Sequence, residues 1–165
     1  MSYVIEHMNP DDWKQVRSIY LEGIATGNTT FETDAPSWEK WDAGHLQCAR
    51  LVARNRDDVL GWAALSPVSK RYAYRGVAEL SISITEKSRG QGIGRALLEA
   101  LIEESERNGI WTLQAAVFPE NTASVKLHLR CGFREVGRRE RIGKLNGMWL
   151  DTLLFERRSK SVGVS

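Results

Sequence analysis

A chain of 165 residues, 42% of them hydrophobic, is long enough for one domain with a buried core and too short for two of ordinary size. With 23 basic and 21 acidic residues the formal charge is +2, which gives no reason to expect nucleic acid or another polyanion as partner. Cys48 and Cys131 make neither a disulfide framework nor a metal cluster, and no apolar stretch approaches the roughly 20 residues of a membrane span, so a cytoplasmic protein with no metal and no membrane partner is expected.

In chain order, Tyr3 to Met8 reads as a first strand. Asn9-Pro10-Asp11-Asp12 is a helix start, with a capping side chain, proline in the first turn and acids at the positive dipole end. Trp13, Val16, Ile19, Tyr20 and Ile24 mark the buried face of that helix, and Gly27-Asn28 ends it. A short helix is expected after Pro36-Ser37, with Trp38, Trp41 and Leu46 turned inward. Leu51 to Arg54 and Val59 to Ser66 pair across Asn55-Arg56-Asp57-Asp58. Glu79 to Ile84 alternates with period two as a half-buried strand. A helix follows, in which Ile93, Ala96, Leu97, Ala100 and Leu101 take one face and Glu99, Glu103, Glu104 and Arg107 the other. Thr112 to Val117 is a strand, Asn121 to Cys131 a helix, and Phe133 to Ile142 and Met148 to Glu156 two more strands. No linker or repeat divides this α/β pattern. A single domain is expected over residues 1–157, with 158–165 as a flexible tail.

Between the fourth strand and its helix lies Arg89-Gly90-Gln91-Gly92-Ile93-Gly94. A glycine-rich turn at a helix start leaves amide N–H groups unpaired at the positive end of the dipole, where phosphate binds well. No Lys-Ser or Lys-Thr follows these glycines, so the loop is not a P-loop. The dinucleotide fingerprint G-x-G-x-x-G would need glycine at Arg95 or at Leu97. Nucleotide hydrolysis and hydride transfer both lose their main support.

The loop does fit R/Q-x-x-G-x-G/A, read as Arg89-x-x-Gly92-x-Gly94. In this the chain resembles the GNAT superfamily of N-acetyltransferases, and more narrowly its phosphinothricin and methionine sulfoximine acetyltransferase branch. The resemblance runs from the start of the chain to about Arg157. It implies a single domain with a mixed, mostly antiparallel sheet, splayed around an acetyl-CoA site and flanked by helices. It also implies that Ile82-Ser83-Ile84 and the loop from Arg89 through Gly90, Gln91, Gly92, Ile93 and Gly94 to Arg95 bind the cofactor. Members of the family commonly dimerise, and a homodimer is expected on that ground, although no stripe in the sequence marks an interface.

Acetyl transfer by direct attack asks for a base to take the amine proton, N–H donors for the oxyanion and a proton for the departing thiolate. Glu79 lies on the strand leading into the loop, ten residues before Arg89, where the branch carries its proposed general base. His128 stands where many GNAT enzymes carry a tyrosine that protonates the thiolate, and the branch often has histidine there. An imidazole with an ordinary pKa near 6.5 suits that task. Asn121 is a helix cap by position; the resemblance adds a cofactor contact for it and for Ser124. Arg71-x-x-Tyr74 matches an arginine and a tyrosine upstream of the glutamate, where an arginine can grip a carboxylate or phosphinate and Tyr72 to Tyr74 would wall the amine site; the alternative is a solvent-exposed loop rich in cations. Phe31-Glu32-Thr33 matches a loop on the substrate side, where Phe31 either covers the ligand or packs the core. Cys131 is read as packing, because no activating base is visible.

Gly147-x-Trp149-x-Asp151 also matches the branch, with one departure: the lysine expected two residues before the glycine is replaced by Leu145, and Lys144 lies one residue earlier. The expected function is acetylation of the primary amine of a small amino-acid-like substrate such as phosphinothricin or methionine sulfoximine or sulfone. The alternatives are another amine (a polyamine, an antibiotic or a protein N-terminus) and a non-catalytic acyl-CoA-binding module.

Overall fold

The alternating segments pair into one seven-stranded sheet in a computed structural model that describes residues 2–165. The strands are β1 (Val4–His7), β2 (Leu51–Asn55), β3 (Asp58–Pro67), β4 (Val77–Ile84), β5 (Thr112–Val117), β6 (Arg134–Leu145) and β7 (Met148–Arg158). Their spatial order is β1-β2-β3-β4-β5-β7-β6. Every neighbouring pair is antiparallel except β4 with β5. Four helices accompany the sheet: α1 (Trp13–Thr26), α2 (Trp38–Gly44), α3 (Ile93–Arg107) and α4 (Thr122–Arg130).

Period-two alternation sorts the strand side chains onto two faces. Leu51, Ala53, Ala63 and Leu65 face Leu97, Leu98 and Leu101 of α3, while Val52, Trp62 and Ala64 face Val16 and Ile19 of α1 and Trp41 of α2. Each fully buried leucine of α3 contributes roughly 1.5–3 kcal/mol relative to exposure. Helix starts follow local chemistry. The Asp12 carboxylate accepts from the Asn9 N–H at 3.0 Å and from Arg54 at 2.8 Å, and Ser37 Oγ accepts from the Lys40 N–H at the start of α2. Gly27, with φ of +67°, ends α1 in the left-handed conformation.

The sheet extends further than the sequence pattern indicates. β4 begins two residues before Glu79, and β6 runs on to Leu145, which is buried. Of residues 158–165, expected to form a flexible tail, 158–163 instead fold back on the domain. Arg158 belongs to β7, Ser159 is buried, and the Ser159 N–H donates to the Trp111 carbonyl at 2.7 Å. These backbone and side-chain bonds satisfy polar groups that a frayed tail would leave to water. Among the described residues no helix is long and apolar enough to cross a membrane.

Candidate active site

The parallel pair β4–β5 holds for three residues and then opens. Val77 pairs with Thr112, Ala78 with Leu113 and Glu79 with Gln114. Beyond that point β4 stays with β3 as far as Ile84, while Ala115 to Val117 stay with β7. The strands therefore fork immediately after Glu79. From Leu80 onward the edge of β4 that faces β5 has no strand partner among the described residues, and such an edge can pair with an extended amide-bearing ligand.

The fork opens into a cleft of about 330 Å3, walled by Glu79, Ser81, Ile82 and Ser83 on one side and Ala115 to Phe118 on the other. Glu79 is half-buried, and its carboxylate accepts from Gln114 Nε2 at 3.3 Å. Ile82 and Ser83 line the cleft, whereas Ile84 turns to fill the space beside Gly61 and Gly94.

One helix supplies the third wall. Asn121 caps α4, its side-chain oxygen accepting from the Ser124 N–H at 3.2 Å, while its Nδ2 donates across to the Asn28 carbonyl at 3.3 Å. Ser124 and His128 line the cleft one turn apart. His128 is buried between Phe133, which meets its ring edge-on, and Phe155, which stacks on it. Its Nδ1 lies 2.7 Å from the Ser124 carbonyl oxygen, which can only accept, so Nδ1 carries a proton. Burial pushes the pKa below the ordinary 6.5, which leaves Nε2 as a lone pair with no partner among the described residues. The imidazole is thus held neutral, where an ordinary pKa would leave about a quarter of it protonated at pH 7.

The glycine loop joins this wall to β4. Gly90 and Gly92 have φ of +76° and +80°, a region other residues enter at a cost, and a Cβ on either would meet open space. The first backbone N–H of α3 with a partner is that of Ala96, bonded to Gly92; those of Gly90 to Arg95 have none among the described residues. Six free N–H groups at a helix start fit a pyrophosphate. A Cβ on Gly94 would lie 3.5 Å from Leu127 on α4 and 3.8 Å from Ile84 on β4, so the loop closes the junction of these two walls. Arg89 is exposed, and the Arg95 guanidinium is held by Glu99 at 2.8 Å.

The family model for the acetyltransferase (GNAT) family matches residues 13–133, which span the loop, the fork and α4. The chain belongs to the GNAT family. As a GNAT acetyltransferase it uses acetyl-CoA as acetyl donor. It is 37% identical over 164 residues to an L-methionine sulfoximine/L-methionine sulfone acetyltransferase of Pseudomonas aeruginosa, covering 94% of each chain. It is 35% identical to a phosphinothricin N-acetyltransferase of Alcaligenes faecalis, covering 89% of this chain and 78% of that one. The crystal structure of a GNAT phosphinothricin acetyltransferase from Sinorhizobium meliloti with acetyl-CoA superposes with a TM-score of 0.87 at 28% identity, covering all of this chain and 92% of the other.

In this GNAT protein Phe31 both lines the cleft and packs, meeting Phe118 edge-on at 4.9 Å. Gly143 on β6 makes room for it, since a Cβ there would lie 2.8 Å from the Phe31 ring. Arg71, Tyr72 and Tyr74 are not brought onto the cleft wall; they lie exposed on the turn before β4. Leu145 is core, and the Lys144 ammonium sits over the Trp149 ring. Cys131 is half-buried and burial raises its pKa, which keeps the thiol protonated. Among the described residues no group of His, Cys, Asp and Glu is placed to hold a metal ion.

Among the wall residues that sequence reasoning missed are Tyr20, Trp62 and Thr152. Trp62 is opposite Ser83 in the β3–β4 register, so it shares the face of the cleft residues, and Tyr20 stacks on it at 6.1 Å. Burial and the Glu32 carboxylate both raise the Tyr20 pKa, so its hydroxyl is a donor at neutral pH. Strand register is the signal that would have found Trp62.

Proposed function

We propose that this GNAT enzyme acetylates the primary amine of a small amino-acid-like acceptor of the phosphinothricin, methionine sulfoximine or methionine sulfone type. The observation that carries the reading is Glu79 at the vertex of the fork, facing the same cleft as the neutral imidazole of His128. The names of the relatives support the acceptor class.

In this mechanism the N–H groups of Gly90 to Arg95 hold the pyrophosphate of acetyl-CoA, with Asn121, Ser124 and the open edge of β4 along its arm. Glu79 takes a proton from the acceptor ammonium, directly or through water. The amine then attacks the thioester carbonyl: an N–C bond forms and the C=O pair moves to oxygen, where main-chain N–H groups freed by the fork can receive it. His128 Nε2, being unprotonated, accepts the second proton shed by nitrogen. As the C–S bond breaks and sulfur keeps the pair, the imidazolium returns that proton to sulfur; its low pKa favours the transfer. Phe31, Tyr20 and Trp62 enclose the acceptor, and its acidic end reaches out of the cleft toward the exposed Arg71 to Tyr74 turn that precedes the strand of Glu79. Val136, Ile142, Met148 and Trp149 are exposed on β6 and β7 and would serve as the contact of a homodimer.

The test is a thiol-release screen of amines, including phosphinothricin and methionine sulfoximine and sulfone. Turnover of these acceptors ahead of polyamines and antibiotics is the expected result. Acetylation of some other amine would move the acceptor class, and release with none of them would favour an acyl-CoA-binding module.

A further inference from the structure

The root of the fork is tied to the far end of the chain through Trp111. The Trp111 N–H donates to the Gly76 carbonyl at 2.8 Å, and Thr112 donates to the same oxygen at 3.1 Å. The indole lies so close to Gly76 that a Cβ there would stand 2.1 Å from the ring. On its other flank the Trp111 carbonyl accepts from Ser159, and a Cβ at Gly163 would lie 3.1 Å from Trp111 Cβ. Arg158 closes this terminal segment: its guanidinium donates to the carbonyls of Ser159 and Val162 at 2.8 Å and of Gly163 at 2.6 Å.

Toward the acceptor side, the Arg75 guanidinium lies 5.3 Å from the Trp111 ring and 4.0 Å from that of Tyr72, and it donates to the Tyr72 carbonyl at 3.0 Å. The turn itself is closed by only two backbone bonds, Tyr74 N–H to Arg71 and Arg75 N–H to Tyr72. Tyr72 is 77% exposed, so little packing of its own holds the turn. Contact therefore runs without a break from residues 158–163 through Trp111 and Arg75 to the turn, and through Gly76 to the first residues of β4.

We propose that residues 158–163 and Trp111 form a brace that positions the Arg71–Arg75 turn, and the base of the strand carrying Glu79, for the acceptor amine. Arg158 and Trp111 are positioning residues that touch neither reactant. The functional half of the proposal rests on the reading of Arg71 to Tyr74 as the acceptor turn.

The experiment compares Arg158→Ala, Trp111→Leu and the conservative Trp111→Phe in the full chain, by amide hydrogen exchange and steady-state kinetics. In Arg158→Ala and Trp111→Leu, exchange at Tyr74 and Arg75 should accelerate. The acceptor KM should rise roughly tenfold, since displacements near 1 Å carry losses of up to about a hundredfold. The KM for acetyl-CoA should stay within about twofold, and Trp111→Phe should restore most of the difference. Unchanged exchange at Tyr74 and Arg75 in both variants overturns the brace, as does a parallel rise in both KM values, which general loosening would give. Arg71→Ala separates the underlying reading: if its acceptor KM matches the parent while Arg158→Ala loosens the turn, the acceptor-turn assignment falls and takes the functional half with it.

Discussion

Replacing Gly143 with alanine tests whether Phe31 shapes the acceptor side of the cleft. The new Cβ would lie 2.8 Å from two carbons of the Phe31 ring, while ordinary contact begins at 3.4 Å, so the ring must move by about 0.6 Å. It cannot simply recoil, because its other flank meets Phe118 edge-on at 4.9 Å. Overpacking of this kind costs about 1–3 kcal/mol. In a chain of this length that lowers Tm by roughly 3–10 °C. A displaced wall of the acceptor pocket should raise the acceptor KM by about five- to tenfold, a fraction of the roughly hundredfold loss that a 1 Å misplacement can cause. The acetyl-CoA KM should not change, because the glycine loop and α4 are untouched. Differential scanning calorimetry and thiol-release kinetics read the two effects, and Phe31→Leu in the same chain should relieve part of both. A Gly143→Ala protein with parental Tm and parental acceptor KM would refute the argument.

Glu79→Gln should lower kcat by about 10²–10⁴-fold with the acetyl-CoA KM intact; parental turnover across a full pH profile would remove Glu79 as base. Gly92→Val places a β-branched residue at φ +80° at a cost of roughly 1–2 kcal/mol. Open space around the site leaves the fold intact, so isothermal titration should show weakened acetyl-CoA binding in a folded protein, and unchanged affinity would sink the loop assignment. His128 and His45 both have folded pKa values lowered by burial, from an unfolded value of about 6.5. The unfolded chain then binds more protons, so their contribution to stability is full above about pH 6.5 and is lost as pH falls toward their folded values. Urea unfolding between pH 8 and pH 5 should show this decline, with a shallower slope in His128→Gln; a flat or opposite trend would contradict neutral burial.

Much of the site was legible in the sequence because its parts are local. The glycine loop, the alternating strand before it and the Asn121 cap each rest on neighbours within a few residues. Spacing and resemblance single out Glu79, Asn121 and His128, and the structure places all three on one cleft. Trp62 and Tyr20 escaped because their place on the wall depends on the β3–β4 register and on how α1 lies across the sheet, neither of which leaves a local pattern. The protonation of His128 escaped for the same reason: its neutrality comes from Phe133, Phe155 and the carbonyl one turn back, not from the residue type. Residues 158–163 look like a tail because their composition is polar, yet Arg158 gathers three carbonyls and makes the segment cohere.

The sheet order has a consequence for vectorial synthesis. β7 follows β5 and β6 in the chain, yet it lies between them. Until it emerges, β5 has only its three-residue parallel pairing with β4, and β6 has no strand to join. A nascent chain can therefore assemble β1 to β4 and the phosphate loop first, while the other arm of the fork waits for residues 148–158. Thr152 and the strand that pairs with β5 and β6 therefore join the cleft after Tyr20, Phe31, Trp62, the phosphate loop and α4 have all been made.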